Sequence, residues 1–532
     1  MQLEAVLVVK RKYGAVSIMT NEFSLTQALR RAVAIRSHKV AVIDGALEFT
    51  WEQFANRSSR LAAAFIEIGL KPGGRVALLA LNSHRSLECF YAAMQAGGVI
   101  VPLNHRLGVN EIIAQTNDCS PQIIVLGAEF VELKEVLLED PDGIRREFVY
   151  CEGEAAPEGF HGYEGLISCH RPCQDAGRHG DDLACLLYTS GTTSAAKGVM
   201  LSHANFCANT ANVVAELGMD EDTVHLHHGP LFHVASAARL FSTTHVAGTH
   251  VFLPKFVACE VISEIARRNV THATFVPTMF RMMLDEPSLH QTDLSKLRYV
   301  SYGSAAMPEP LLREFMEALP FVRMLQSYGM TELSPVVTIL GWRDHLPSAA
   351  SSGRLRSVGR PVMLAEVAVV GSDDRPLPAG SHGEVVARGP MVMRGYWNRP
   401  DLTAQALRGG WMHTGDVGYL DHDGYLFVVD RLKDMIITGG ENVWSQEVEN
   451  ALASHPAVSV CAVIGIPDPV WGETVHAIVN LRNNMSTTEV DLIAHCRNLI
   501  AHYKCPRSVD IRDEPLPLSG ANKVMKSELR IN

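Results

Sequence analysis

The sequence predicts an α/β protein, with a large N-terminal α/β domain whose sheets are flanked by helices, a β-rich subdomain, and a small C-terminal α+β domain. Three observations predict it. Apolar runs such as "RVALLAL" (75–81) and "GGVIVPL" (97–103) are separated by helix-like stretches such as "WEQFANRSSRLAAAFIEIGL" (51–70), the pattern of buried, mostly parallel strands joined by helices. Between roughly 345 and 440 the texture changes: "PLPAGSHGE", "RGYWNRPDLTA" and "DHDGYLFVVDR" are short β-rich pieces punctuated by Gly, Pro and Asp-Gly. From Glu441 onward, "SQEVENALASHPAVSVCAVIGI" and "EVDLIAHCRNLIAHYK" read as helix, strand and helix, a unit of about a hundred residues within the usual domain range.

A chain of 532 residues with 47% hydrophobic content can bury more than one core. Its net charge of −11 argues against nucleic acid as a partner. Eleven cysteines are scattered without a C-x-x-C pair, which fits free thiols in a reducing cytoplasm. "CHRPC" at 169–173 reads as loop rather than as a metal site. The opening "MQLEAVLVVKRK" puts the apolar segment before the basic one, the reverse of a secretory signal, and no uninterrupted apolar run reaches membrane-spanning length. The expectation is a soluble, cytoplasmic protein without a transmembrane segment.

One stretch, "LLYTSGTTSAAKGVM" (186–200), sets an apolar run before a cluster of hydroxyls, glycines and a lysine. Gly191 and Gly198 permit backbone conformations that other residues avoid. Thr189, Ser190, Thr192, Thr193 and Ser194 can donate to oxyanions, and Lys197 adds a point charge. It is not a Walker A loop, because Ala196 precedes the lysine and Gly198 follows it. Alone, such a cluster reads as a polar surface loop.

Four further segments follow in order: "QSYGMTE" (326–332), "WMHTGDVGYLDHDGYLFVVDRLKDMI" (411–436), "TGGENVWSQEVE" (438–449) and "PLSGANKVMKSELR" (517–530). With these five motifs, and with "TWEQF" (50–54) and "PLNHRL" (102–107), the whole chain resembles the adenylate-forming superfamily of acyl-CoA synthetases, luciferases and adenylation domains. The resemblance implies ATP-dependent activation of a carboxylic acid to an acyl adenylate with release of pyrophosphate, then transfer to coenzyme A, with Mg²⁺ as cofactor. It implies that Thr189, Ser190, Gly191, Thr192, Thr193 and Lys197 hold the β- and γ-phosphates. Thr331 would contact the α-phosphate and Glu332 would help hold Mg²⁺. Tyr328, with Gly329, would offer a flat face to adenine, and Ser304 and Ala305 would lie beside the nucleotide. Asp416 would accept the ribose hydroxyls, with Arg431 as an added donor. Lys523 would bridge the substrate carboxylate and the α-phosphate.

The same resemblance makes Lys433, in "DRLKDMI", the swivel of a mobile small domain, with the large domain over 1–430, a hinge at 431–434 and the small domain over 435–532. After rotation, Gly439 and Gly440 of "GGEN" would line the thiol channel. The chain departs from the common pattern at Ser194, Ala196 and Asn522, which bears on nucleotide affinity rather than on reaction type. Acyl-pocket residues would come from "PLFHVASAA" (230–238), "FVPTM" (275–279) and "YGSAAM" (302–307), chiefly His233, Val234, Val276, Gly303 and Ala306. Such a lining favours an apolar acid of some size. Arg239 and Arg281 could pair with a second carboxylate, but their helix-like positions read as exposed, which makes a dicarboxylate the lesser expectation. The alternatives are an enzyme that stops at the adenylate or loads a carrier-protein thiol, a luciferase-like oxygenase, and a silent binding relative. A carrier protein or a second copy of the chain is the macromolecular partner considered.

Overall fold

Local chemistry sets the helix starts. Ahead of the Trp51–Glu67 helix the Thr50 hydroxyl accepts from the Gln53 N–H at 3.2 Å, and the Gln53 side chain accepts from the Thr50 N–H at 2.8 Å. Two donors that a first turn leaves open are thereby satisfied. Ser202 and Asn205 repeat the arrangement before the His203–Glu216 helix. The first of these helices stops short of the expected Leu70, because the Ile68 N–H closes on Ala64 and Gly69, at φ +114, turns the chain away. The computed structural model describes residues 23–138, 143–152, 155–189, 196–350, 353–431, 434–482, 484–518 and 524–530.

The apolar runs form the parallel strands Arg75–Leu79 and Val99–Pro102. They lie inside an eight-stranded sheet ordered Gly395–Tyr396, Lys197–Ser202, Leu183–Thr189, Val99–Pro102, Arg75–Leu79, Ile123–Leu126, Glu147–Tyr150 and His161–Gly162. A nine-stranded sheet runs Arg360–Pro361, Val336–Leu340, Arg323–Gly329, Tyr299–Gly303, His272–Phe275, Val224–His227, Thr249–Phe252, Val40–Asp44 and Leu47–Thr50. The strands at its centre are parallel. Helices Trp51–Glu67, His84–Gln95, His203–Glu216 and Val234–His245 share one core with both sheets, in which Trp51, Val76, Phe90, Phe206, Phe241 and Phe252 are buried.

The two faces of the nine-stranded sheet differ in chemistry. One face presents Leu226, Val251, Phe275, Val300 and Met324 to the helices Ala258–Arg267, Pro277–Leu284 and Glu309–Ala318. On the other, register aligns His225 with both His250 and His272, and His272 with Tyr299. Side chains two residues apart share a face, so His227, Thr274 and Ser301 join this row. It faces the Val234–His245 helix, whose Thr244 hydroxyl lies 3.2 Å from His250 Nε2.

The β-rich stretch forms a four-stranded antiparallel sheet of Glu366–Val370, Gly383–Arg388, Met412–Leu420 and Leu426–Arg431. Beyond it, Ile436–Thr438, Glu441–Val443, Val458–Asp468, Gly472–Leu481 and Ser508–Ile511 make a five-stranded sheet. The Ser445–Ala453 and Glu489–Arg497 helices cover it through Val448, Leu452, Leu492 and Cys496. Among the described residues no helix is long and apolar enough to cross a membrane; the apolar N-terminal segment lies outside them.

Candidate functional site

The hydroxyl-rich stretch connects two antiparallel strands, Leu183–Thr189 and Lys197–Ser202, and Thr189 pairs with Lys197 at its base. A strand therefore follows the loop, where a Walker A loop would open a helix. Ser190, Gly191, Thr192 and Thr193 lie outside the described residues. Lys197 Nζ sits 5.2 Å from the centroid of the Tyr396 ring, and Tyr396 is held there by pairing with Val199.

From Tyr396 the site continues to the end of the Arg323–Gly329 strand. The Tyr396 hydroxyl donates to Glu332 Oε1 at 2.8 Å. Glu332 is 5% exposed, and burial pushes its carboxyl above the usual carboxylate range, against the pull of the Tyr396 hydroxyl, a backbone hydrogen bond and the Arg431 and Lys197 charges. Thr331, beside it in a short 3₁₀ turn, is half-buried.

A second set closes the other side. The Tyr328 hydroxyl donates to Asp416 Oδ2 at 2.8 Å, and Arg431 Nε lies 3.0 Å from Asp416 Oδ1. Strand pairing of Asp416 with Arg431 sets this contact. Tyr328, Thr331 and Glu332 from one sheet thus meet Asp416 and Arg431 from another and Lys197 and Tyr396 from a third.

Two glycines let the backbones approach. A Cβ on Gly303 would lie 2.2 Å from the Ser327 carbonyl, and one on Gly329, at φ +157, would lie 1.8 Å from the Pro335 carbonyl. A larger residue at Gly303 would push the Tyr299–Gly303 and Arg323–Gly329 strand ends apart, and one at Gly329 would push the latter away from Pro335 and the Val336–Leu340 strand. Ser304 follows in the left-handed region at φ 67, with Ala305 half-buried next to it.

The segments expected to line the acyl pocket follow the carboxyl ends of the parallel strands Val224–His227, His272–Phe275 and Tyr299–Gly303, the end at which ligands of open α/β sheets bind. His233 precedes the Val234–His245 helix and Val276 precedes Pro277–Leu284. Val234 is buried, Val276 and Gly303 are half-buried and Ala306 is exposed. Two expectations are corrected here. Arg239 is not exposed: only 3% of it reaches solvent, because its helix lies between two sheets and buries nearly every position from Ala237 to Thr244. Arg281 is half-buried rather than exposed, and it donates to Glu314 at 2.8 and 2.9 Å and to Asp285 at 3.0 Å.

In the C-terminal sheet Gly439 and Gly440, at φ +60 and +84, form the two-residue turn between paired Thr438 and Glu441, the φ > 0 pattern that a tight hairpin demands. Lys433 and Lys523 lie outside the described residues. Tyr396 was not singled out from sequence. Its signal is faint, a tyrosine in "RGYWNRP" whose partner Glu332 is 64 positions away.

The family model described as AMP-binding enzyme matches residues 29–397, and that described as AMP-binding enzyme C-terminal domain matches 447–523. The chain is 38% identical over 519 residues to a feruloyl-CoA synthase of Amycolatopsis sp, covering 96% of this chain and 99% of the relative. It is 33% identical to the long-chain-fatty-acid–CoA ligase FadD13 of Mycobacterium tuberculosis, covering 91% and 93%. The crystal structure of ATP-bound MatB from Rhodopseudomonas palustris superposes with a TM-score of 0.86 at 29% identity, covering 96% of this chain and 98% of that one.

Proposed function

The chain belongs to the AMP-binding enzyme family and is an AMP-forming acid–CoA ligase, and on that premise we propose that it activates an acid with an apolar body of medium or larger size at the site where Glu332, Tyr328, Asp416, Arg431 and Lys197 converge. The observation that carries this assignment is the convergence itself: residues from three sheets, far apart in sequence, meet around Glu332 and Asp416.

In this reading one oxygen of the substrate carboxylate attacks the α-phosphorus of ATP, the bond to pyrophosphate breaks, and an acyl adenylate forms. The Thr189–Lys197 loop holds the leaving phosphates, Thr331 contacts the α-phosphate, and Tyr328 with Ser304, Ala305 and Gly329 frames the adenine. Asp416, oriented by Tyr328 and Arg431, takes the ribose hydroxyls. Lys523 from the small domain neutralises charge where the two anions meet. The coenzyme A sulfur then attacks the acyl carbon and AMP leaves. Lys433 within the hinge at 431–434 swivels the domain 435–532 between the steps, bringing Gly439 and Gly440 to the thiol channel.

Mg²⁺ fits one residue of this site. Glu332 is a buried carboxylate whose burial disfavours its charge, so a cation beside it relieves that cost. One protein carboxylate plus phosphate oxygens and waters is an ordinary Mg²⁺ environment. When bound, the ion supplies charge neutralisation to the phosphates; Glu332 holds it and Tyr396 fixes the orientation of Glu332.

His233, Val234, Val276, Gly303 and Ala306 line the mouth of the acyl pocket, and the names of the feruloyl and long-chain relatives support a sizeable acid. We place the reaction in the cytoplasm, in line with scattered unpaired cysteines. The test is pyrophosphate release from ATP across a panel of acids. It is expected only with Mg²⁺ and rises from acetate to larger apolar acids, each buried methylene adding about 0.8 kcal/mol until the pocket is full. Release of inorganic phosphate instead, or a series that peaks at acetate or malonate, would overturn the assignment.

A further inference from the structure

The Val234–His245 helix carries an arginine into the interior. Arg239 is 3% exposed, and its Nε and Nη1 are buried without a hydrogen-bond partner. No ion pair to it occurs among the described residues, and burial alone acts on it, lowering its pKa to about 10. A guanidinium in this position is costly unless something pairs with it, so it marks a place where a ligand completes the structure.

The surroundings show where that ligand enters. Arg239 lies within electrostatic reach of His225, His227 and His272, on the polar face of the nine-stranded sheet. Burial keeps these imidazoles neutral: His272 is held at about 4, and His225 and His227 well below the ordinary value. They supply dipoles but no counter-charge. From this row the same face runs along the strands to Val276 and Gly303. Thr274, inside a parallel strand flanked on both sides, is nevertheless half-buried rather than sealed, while His272 two residues earlier is 2% exposed. The Thr274 and Ser301 hydroxyls lie 2.7 Å apart, and Ser327 Oγ on the next strand is buried without a partner. Strand register thus puts the hydroxyls of Thr274, Ser301 and Ser327 on the same sheet face as the histidines near Arg239, between them and the expected acyl-pocket segments.

We propose that Arg239 binds a second carboxylate at the far end of the substrate, so that the enzyme activates α,ω-dicarboxylic acids with an apolar spacer. The proposal deepens the pocket reading above and rests on it, with the pocket mouth at His233 and Val234, at the N-terminal end of the Val234–His245 helix. Arg239 lies five positions after Val234 along the helix, a rise of about 7.5 Å. Malonate is too short for it and suberate is suited to it. Arg281, already held by Glu314 and Asp285, does not compete for the role.

The experiment compares kcat/KM for suberate and octanoate, by pyrophosphate release with ATP and Mg²⁺, in the wild type, Arg239→Met and Arg239→Lys. A charge-assisted hydrogen bond predicts a wild-type preference for suberate of about tenfold to a hundredfold. Arg239→Met is expected to reverse the preference while octanoate still turns over, and Arg239→Lys to keep part of it. A wild-type ratio that favours octanoate, unchanged in Arg239→Met, would overturn the second-carboxylate site and leave acid activation standing. No pyrophosphate from any acid in the wider panel would instead overturn the activation reading. Calorimetric binding of the two acids to the wild type decides the matter if Arg239→Met does not fold: weaker binding of suberate than of octanoate counts against the site.

Discussion

Lys526 Nζ lies 2.7 Å from Glu449 Oε1, with the two side chains 17% and 12% exposed. The same ammonium is 2.6 Å from the Ser445 hydroxyl, and Ser445 donates to Asp430 through its N–H at 2.6 Å and its hydroxyl at 2.7 Å. The chain end three positions after Lys523 is thereby tied to the Ser445–Ala453 helix and, across the proposed hinge, to the last strand of the four-stranded sheet. Burial works against the Lys526 charge, yet Glu449 and Asp430 outweigh it and raise the pKa.

Breaking this pair should disturb the first half-reaction more than the second. Removing one partner of a buried ion pair costs about 3–5 kcal/mol because the other charge is left alone. Glu449→Ala is expected to lower pyrophosphate release at least about tenfold, since the segment that carries Lys523 loses its anchor. Thioester formation from presynthesised acyl adenylate should fall less. Equal losses in the two assays would contradict the anchoring role.

The proposed rotation gives a sharper contrast. Lys523→Ala removes the charge proposed to bridge carboxylate and α-phosphate, and adenylation should fall by about two orders of magnitude or more. Thioester formation from the adenylate should persist near the wild-type rate. Lys433→Pro fixes φ at the swivel and should spare adenylation while blocking the thioester step. If both variants lost both steps equally, one conformation would be serving the whole reaction.

The proposed Mg²⁺ role of Glu332 would couple the metal to pH. Its carboxyl is raised by burial, so a proton competes with the cation at pH values where an exposed carboxylate would be ionised. The half-saturating Mg²⁺ concentration should therefore rise as pH falls. The sign for folding is opposite to that for activity: a raised carboxyl pKa opposes folding once the group ionises, so Glu332→Gln should leave Tm unchanged or higher while pyrophosphate release drops about a hundredfold. A Mg²⁺ requirement that is flat with pH, or unaltered in the variant, would remove Glu332 from the metal's surroundings.

Acid should unfold the protein from a predictable starting point. His225, His227, His228, His250 and His272 are all 3% exposed or less, and burial lowers each, His228 to about 4 and His250 to about 3 from an ordinary 6.5. A base with a depressed folded pKa is protonated first in the unfolded chain, so its contribution is complete above 6.5 and is lost as pH falls. Each fully linked histidine contributes about 1.4 kcal/mol per pH unit. The denaturant midpoint should hold steady above about pH 7 and decline progressively toward about pH 5. A flat profile over that interval would mean that these imidazoles are already charged in the folded state.

The alternation of strands and helices was legible because buried parallel strands are continuously apolar, as in Val76–Leu79 and Ile123–Leu126. The residues proposed to hold the nucleotide were readable as candidates because they sit in short local motifs. Arg239 was not. In "VASAARLFSTTH" every position from Ala237 to Thr244 is buried, polar and apolar alike, so an arginine there does not mark a solvent face as it would on an ordinary surface helix. The polar face of the nine-stranded sheet was hidden for a related reason: His225, His250 and His272 come from three strands, and only the register brings them into one row. Tyr396 depended on a strand pairing with Val199 that joins segments nearly two hundred residues apart.

That row bears on how the interior treats an arriving charge. In water a carboxylate is stabilised by molecules that must first turn toward it, and the turning is a large part of the solvation cost. The imidazoles near Arg239 and the hydroxyls that continue the same sheet face are held by sheet register, with His227 Nε2 3.0 Å from His250 Nδ1 and Thr274 bonded to Ser301. They act as a solvent already frozen in orientation, so a charge that reaches them meets a field prepared during folding rather than one assembled on arrival.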